Sequence, residues 1–309
     1  MAFDIHPELL AMLAEFDAVP DGGTIEEKRE AWRRFCFETR RPRPDGMAVE
    51  DRTFPGPAGA VPIRTYRPAG APDPAPTILY IHGGGFMTGD LDTNDTIAWG
   101  LAEGTGCVVV STHYRLAPEN PYPAAFDDCY AALCHVAENA AQLVIDADRI
   151  GVCGDSAGGN LTAAVNLAAR DRGGPRVAAQ AIVYPGLRGD GALPSFTTYA
   201  DAPIQSTAAT LIYRAAYMPD PATHDDPYAC PLKADFYGDL PPALVHVAEI
   251  DAARDEGRVY AERMAAAGVD VTYRVASRMT HSFMRARFNG PAAQAEFDVI
   301  CDFLAGHLC

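Results

Sequence analysis

The apolar positions of this chain keep one rhythm up to about residue 40 and another after residue 77. Over 7–19 and 24–38 they recur at helical spacing, with Leu9, Leu10, Leu13 and Phe16, then Trp32, Phe35 and Cys36. That spacing predicts two N-terminal helices. Arg40-Arg41-Pro42-Arg43-Pro44-Asp45-Gly46 interrupts the pattern, as clustered Pro and Gly do. Extended stretches at 47–54 and 61–67 follow, with prolines and glycines crowding 55–76 around them. They predict an antiparallel hairpin at a sheet edge.

From residue 77 short continuous apolar runs take over: Thr77-Ile78-Leu79-Tyr80-Ile81, Cys107-Val108-Val109-Val110-Ser111, then 149–153, 180–184, 243–250 and 271–275. Runs without polar alternation are the mark of strands buried on both faces. Helical patterns at about 124–140, 157–170 and 255–267 lie between most of them, and a last one covers 291–305. Strands alternating with helices predict an α/β fold with a mostly parallel central sheet flanked by helices. Residues 186–241 break the rhythm. The stretch is too long for a simple crossover and carries Phe196, Tyr199, Tyr213, Tyr217 and Tyr228. It reads as a helical lid inserted at the strand ends and packing with the N-terminal helices. One domain is therefore expected over 1–309, with cap elements at about 1–46 and 186–241.

Composition narrows the partners. A chain of 309 residues is large for one core but within the range of α/β enzymes. Its net charge of −16, from 25 basic and 41 acidic residues, argues against nucleic acid and anionic membranes, which need a cationic footprint. No apolar run approaches the roughly 18 residues of a membrane span. Met1-Ala2-Phe3-Asp4-Ile5-His6-Pro7-Glu8 has no basic region followed by an apolar one, so no signal peptide is visible. Of the eight cysteines, none form Cys-x-x-Cys, and Cys107 and Cys153 in strand-like runs read as small buried hydrophobes. Without an export signal, reduced thiols and a cytoplasmic location are expected. A homodimer is compatible with the sequence.

Chemistry enters at Ile150-Gly151-Val152-Cys153-Gly154-Asp155-Ser156-Ala157-Gly158-Gly159-Asn160. An apolar run ends in Gly-x-Ser-x-Gly and a helical pattern follows at once, the form of a nucleophile elbow. The turn is tight enough that side chains two residues before and after Ser156 would collide, so Gly154 and Gly158 have a steric reason to be glycine. A serine hydroxyl needs a base, and the chain order in doubly wound hydrolases is Ser, then Asp/Glu, then His. Only His281 and His307 follow the 243–250 strand. His307 ends a helix, where positive charge is favourable anyway. His281 follows the last predicted strand, where a base is needed. The acid belongs just past the strand at 243–250, which ends at Asp251. Glu249 lies within that strand, and Asp255 and Glu256 suit a helix N-terminus. Asp251 is favoured, with Asp255 in reserve.

An oxyanion needs pre-aimed donors. His82-Gly83-Gly84-Gly85-Phe86 follows the strand at 77–81, and its bare backbone N–H groups, with that of Ala157, suit the task. A phosphate loop is the rival. No Gly-Lys-Ser/Thr follows, and Thr88 stands where a dinucleotide fingerprint needs its third glycine. His224-Asp225-Asp226 is the nearest thing to a metal cluster and reads as a loop with a capping aspartate, so neither metal nor cofactor is expected.

These segments, with Tyr114-Arg115-Leu116-Ala117-Pro118-Glu119 and Asp251 through Arg254-Asp255-Glu256-Gly257 to His281, resemble in order and spacing over about 77–285 the bacterial hormone-sensitive-lipase-like carboxylesterases, a branch of the α/β-hydrolases. The resemblance implies a Ser156, Asp251 and His281 triad and an oxyanion hole from the N–H groups of Gly84, Gly85 and Ala157. It gives His82 the task of holding the glycine loop. It also implies a cap, and hydrolysis by water of small-molecule esters with short to medium acyl chains. Phe86, Met87, Leu211 and Ile212 are the candidate pocket residues. Amide or formamide hydrolysis on the same triad is the alternative. A non-catalytic receptor, as in the gibberellin receptors that lack the histidine, is disfavoured by His281. Two departures stand out: Asp251-Ala252-Ala253 where the family carries Asp-Pro-Leu, and Ser282 where glycine follows the base.

Overall fold

A computed structural model describes residues 3–17 and 23–309. Its strands are β1 (Ala48–Gly56), β2 (Gly59–Arg67), β3 (Ala75–Ile81), β4 (Val108–Thr112), β5 (Ile145–Asp155), β6 (Ala179–Val183), β7 (Ala243–Ile250) and β8 (Val271–Thr280). They form one sheet in the order β1-β2-β4-β3-β5-β6-β7-β8. The β1/β2 hairpin lies at the edge, with Ala48 opposite Arg67 and Gly56 opposite Gly59. β2 is antiparallel to β4, and all remaining pairs are parallel. Every residue of β3, β4 and β6 is buried, whereas edge strand β1 is largely open. Continuous apolar runs thus fall at the centre of the sheet, as a parallel sheet covered on both faces demands.

The helices are α1 (Leu10–Asp17), α2 (Ile25–Glu38), α3 (Asp95–Thr105), α4 (Ala124–Glu138), α5 (Ala140–Leu143), α6 (Ala157–Asp171), α7 (Ser195–Thr198), α8 (Thr207–Tyr217), α9 (Arg254–Ala266) and α10 (Pro291–Leu308). Alternation along β3 divides the core. Ile78 and Tyr80 join Trp99 and Leu101 of α3 and Phe297, Ile300 and Leu304 of α10 on one face. Leu79 and Ile81 join Phe126 and Leu133 of α4 and Leu161 and Val165 of α6 on the other. Successive strand side chains point to opposite faces, so one strand serves both layers.

Residues 18 and 19 of the helix predicted over 7–19 lie outside the described residues, as do Met1 and Ala2 and part of the predicted cap range 1–46. α2 starts where a capping box sets it: Thr24 Oγ1 accepts from the Glu27 N–H at 3.2 Å, and the Glu27 carboxylate accepts from the Thr24 N–H at 2.7 Å. Helix α3 has no counterpart in the sequence pattern. Gly100 and Gly104 weaken its helical signal, and packing demands both. A Cβ at Gly100 would fall on the Arg287 guanidinium, and one at Gly104 would stand 2.6 Å from Cys301 Sγ. All eight cysteines are free, and Cys107 and Cys153 are fully buried. Among the described residues no helix is long and apolar enough to cross a membrane.

Candidate active site

Ser156 stands between β5 and α6 with φ 56° and ψ −118°, a conformation that L-residues hold only when the surroundings impose it. Its N–H donates to the Val183 carbonyl at 2.9 Å. A Cβ at Gly154 would fall on the Gly158 carbonyl oxygen, and one at Gly158 on the Ile81 carbonyl. The glycines are therefore required by backbone approach, including that of strand β3, more than by collision of their own side chains.

Three parallel strands end beside this turn, and each delivers one group. Asp251 follows β7 and His281 follows β8; they are 1% and 3% exposed, so both lie out of bulk water. His281 Nε2 lies 2.7 Å from Ser156 Oγ, and Nδ1 lies 2.6 Å from Asp251 Oδ2. A carboxylate only accepts, so Nδ1 carries the proton toward Asp251 and Nε2 is left to accept from the serine. Asp251 Oδ1 is held by the Ala253 N–H at 2.8 Å. The reserve acid, Asp255, lies elsewhere, accepting from the Ser195 N–H and pairing with Arg254.

The glycine loop is braced from below. Gly83 N–H donates to Asp155 Oδ1 at 3.0 Å, and the same buried carboxylate accepts from Tyr80 Oη at 2.7 Å and Tyr184 Oη at 3.3 Å. The Tyr184 ring in turn packs against His281 at 4.7 Å. His82 is buried, its Nδ1 2.8 Å from the Gly83 carbonyl. Burial, and then the neighbouring His113, push its imidazole down to about 3, so it is neutral. Tyr114 Oη donates to the His82 carbonyl at 2.8 Å and Ala117 N–H to the Phe86 carbonyl at 2.9 Å, which gives the Tyr114–Glu119 segment its place. Above, Arg29 of α2 donates to the Met87 and Ala117 carbonyls and pairs with Glu119. The N–H groups of Gly84 and Gly85 make no hydrogen bond among the described residues. Ala157 is the first residue of α6, where the N–H has no intrahelical acceptor.

A pocket of ≈ 40 Å³ opens beside Ser156, lined in part by Gly85, Phe86, Ala157, Arg188, Gln205, Thr210, Tyr213, Arg214 and Tyr217. Phe86 lies in it, stacked on Tyr217 with ring centroids 3.8 Å apart. The expectations for Met87, Leu211 and Ile212 are corrected. Met87 is buried behind the loop and does not line the pocket, and Leu211 and Ile212 are 45% and 53% exposed on the far side of α8. Thr210, Tyr213, Arg214 and Tyr217 share the inward face at i, i+3, i+4 and i+7, and a shift of one residue turns a helix side chain by about 100°. A second cavity, ≈ 340 Å³, lies between α2 and the Tyr114–Glu119 segment. It does not reach Ser156, and its arginines Arg29, Arg33 and Arg115 are already paired with Glu119, Asp90 and Asp128.

Glu256 has a task the sequence does not announce. Read as favourable charge at a helix start, it is instead buried and accepts from the N–H groups of Leu187, Arg188 and Gly189 at 2.6, 3.0 and 2.7 Å. Burial pushes its carboxyl up to about 7 against the pull of those three donors. The two family departures also find places. Ala252 N–H donates to the Gln205 carbonyl at 3.3 Å, a bond proline has no hydrogen to make. Ser282 takes the left-handed φ of 66° that glycine would adopt without strain. His224, Asp225 and Asp226 turn to separate partners, the Met218 carbonyl, Lys233 and the Tyr228 N–H, and no cluster of three metal-ligating side chains exists among the described residues.

A family model described as alpha/beta hydrolase fold matches residues 78–285. Esterase LipI of Mycobacterium tuberculosis is 42% identical over 293 residues, covering 94% of this chain and 91% of the relative. Ethyl acetate hydrolase of Pseudomonas putida is 35% identical, with 91% and 92% covered. A solved esterase from Pyrobaculum calidifontis superimposes with a TM-score of 0.91 at 34% identity, covering 98% of both chains. With the elbow, the strand-end groups and the eight-stranded sheet, these likenesses show that the chain belongs to the α/β-hydrolase family, in its hormone-sensitive-lipase-like branch.

Proposed function

We propose that this carboxylic ester hydrolase acts on esters of short acyl chains by two-step acyl transfer through Ser156. The observation that carries the reading is the unbroken line from Ser156 Oγ through the His281 imidazole to Asp251, at 2.7 and 2.6 Å. His281 Nε2 takes the hydroxyl proton as Oγ attacks the ester carbonyl, and Asp251 stabilises the imidazolium. The N–H groups of Gly84, Gly85 and Ala157 receive the oxyanion. Imidazolium then protonates the departing alcohol, leaving an acyl-serine. Water, losing its proton to Nε2, attacks that acyl group and releases the acid.

The leaving oxygen must lie near His281 Nε2. The pocket is lined by Ser156, Ala157 and Gly85 but not by His281, so it is the acyl side. At ≈ 40 Å³ it takes about three water-sized groups, which favours short acyl chains. The α8 segment and the N-terminal helices act as the cap. Eight free thiols suit a reducing, cytoplasmic setting.

The test is a fluorophosphonate label followed by a panel of 4-nitrophenyl esters and matched anilides. Labelling at Ser156, an optimum at about four acyl carbons or fewer, and slow anilide turnover are expected. An optimum at about ten carbons contradicts the chain-length reading, and anilides cleaved as fast as esters make the enzyme an amidase.

A further inference from the structure

Arginines in this acidic chain are mostly neutralised where they approach the interior. Arg43 pairs with Asp95, Arg115 with Asp128 and Arg274 with Glu296. Buried Arg285 and Arg287 have no carboxylate partner but donate to the Thr93 and Thr96 carbonyls, whereas among the described residues neither kind of partner serves Arg214. It lies on the inward face of α8, in the pocket that holds Ser156. Its Nε is buried without a hydrogen-bond partner, and its guanidinium makes no ion pair among the described residues. The neighbouring carboxylates are taken: Asp190 pairs with Arg188, and Glu256 binds the 187–189 backbone.

Geometry holds the half-buried side chain by its stem. Cβ and Cδ of Arg214 stand 3.6 Å from where a Cβ at Gly189 would be, so the stem lies along the loop that Glu256 holds. Its charge reaches fully buried Cys230, where burial pushes the thiol up to about 11 and Arg214 is the first influence opposing that. A buried donor left without an acceptor costs stability. A pocket this small that keeps an unneutralised cation is built for a ligand that brings the anion.

We propose that Arg214 binds a carboxylate on the acyl group, so that the preferred substrates are monoesters of short dicarboxylic acids. This rests on the acyl-side reading of the pocket. A planar guanidinium offers two parallel N–H donors to a carboxylate, a match that a neutral alkyl end cannot make. The acyl carbonyl sits at Ser156 with its far carboxylate at Arg214. Ester cleavage then proceeds as above, releasing the alcohol first and the dicarboxylate after water attacks the acyl-serine. Long-range attraction contributes little, because the net charge of −16 repels anions. The effect is in binding within the pocket.

The test compares kcat/KM for monoethyl succinate and its neutral counterpart ethyl butyrate, by pH-stat, in wild type, Arg214→Met and Arg214→Lys. Wild type favours the anionic ester. Arg214→Met lowers the succinate-to-butyrate ratio by about tenfold to a hundredfold, mainly through a raised KM for the anionic ester. Arg214→Lys restores part of the ratio, because charge is retained without the planar fork. A ratio unchanged in Arg214→Met, or a wild-type preference for ethyl butyrate that Arg214→Lys does not alter, overturns the proposal. If Arg214→Met fails to fold, the Lys variant and the wild-type ratio decide. Butyrate turnover at Ser156 with no charge preference leaves the esterase mechanism standing and removes only this inference.

Discussion

Ser156, His281 and Asp251 stand at the ends of β5, β8 and β7, and His281 touches both of the others. The wall facing them comes from α8 and the loops of the 186–241 segment, which reach the sheet through apolar packing, with Leu187, Leu232 and Leu240 beside Val245 and Val247, and through a few polar ties. Glu256 grips the 187–189 backbone, Ser195 Oγ donates to the Ala252 carbonyl at 2.7 Å, and Ala252 N–H donates to Gln205. The floor inherits its geometry from hydrogen-bonded parallel strands, so its spacing is fixed wherever this sheet forms. The wall carries no strand of the sheet and is held by side-chain packing and by these few bonds. The proposed mechanism assigns chemistry to the floor and choice of ester to the wall.

Substitutions can break that division in order of effect. His281→Gln removes the base, and kcat on 4-nitrophenyl butyrate falls by about 10⁴ with KM little changed; a loss under tenfold would place the chemistry elsewhere. Asp155→Asn is the next largest. It replaces an acceptor shared by Gly83, Tyr80 and Tyr184 with a group that also donates, loosening the glycine loop. A kcat loss of about tenfold to a hundredfold is expected, without loss of fluorophosphonate labelling.

On the wall, Glu256 gives a pH signature. Its folded carboxyl is raised to about 7, so its contribution to stability is full below the ordinary carboxyl range and is lost as pH rises through about 7. Glu256→Gln therefore flattens the decline of Tm between about pH 5 and 8, and equal slopes in the two proteins would contradict the assignment. Ala252→Pro, which deletes the N–H bonded to Gln205, costs about 1 kcal/mol and raises KM more than it lowers kcat. Smallest of all, Leu211→Ala and Ile212→Ala leave kcat/KM within about twofold, whereas a large change would return those residues to the pocket.

The same division governs what the sequence discloses. Elbow, glycine loop and strand-end positions are local backbone requirements, so glycine spacing and chain order mark Ser156, Asp251 and His281, which the structure then brings together. Parallel buried strands are legible for the same reason, since a run such as 77–81 has no polar face to offer. Helix α3 is not legible, because Gly100 and Gly104 answer to Arg287 and Cys301, far away in the chain. Nor is the phase of α8. Both faces of Thr207–Tyr217 carry large side chains, and only docking decides that Tyr213 and Arg214 face inward while Leu211 and Ile212 do not. Asp155 and Glu256 sit inside readable motifs, yet their partners, backbone N–H groups and for Asp155 also two tyrosine hydroxyls, are distant in sequence and no pattern reveals them.

Turnover by Ser156→Ala tests the central claim most directly. With the protein folded by circular dichroism, kcat on 4-nitrophenyl butyrate is predicted to fall by about 10⁴ to 10⁶. Hydrolysis within about tenfold of wild type would contradict an acyl-enzyme at Ser156.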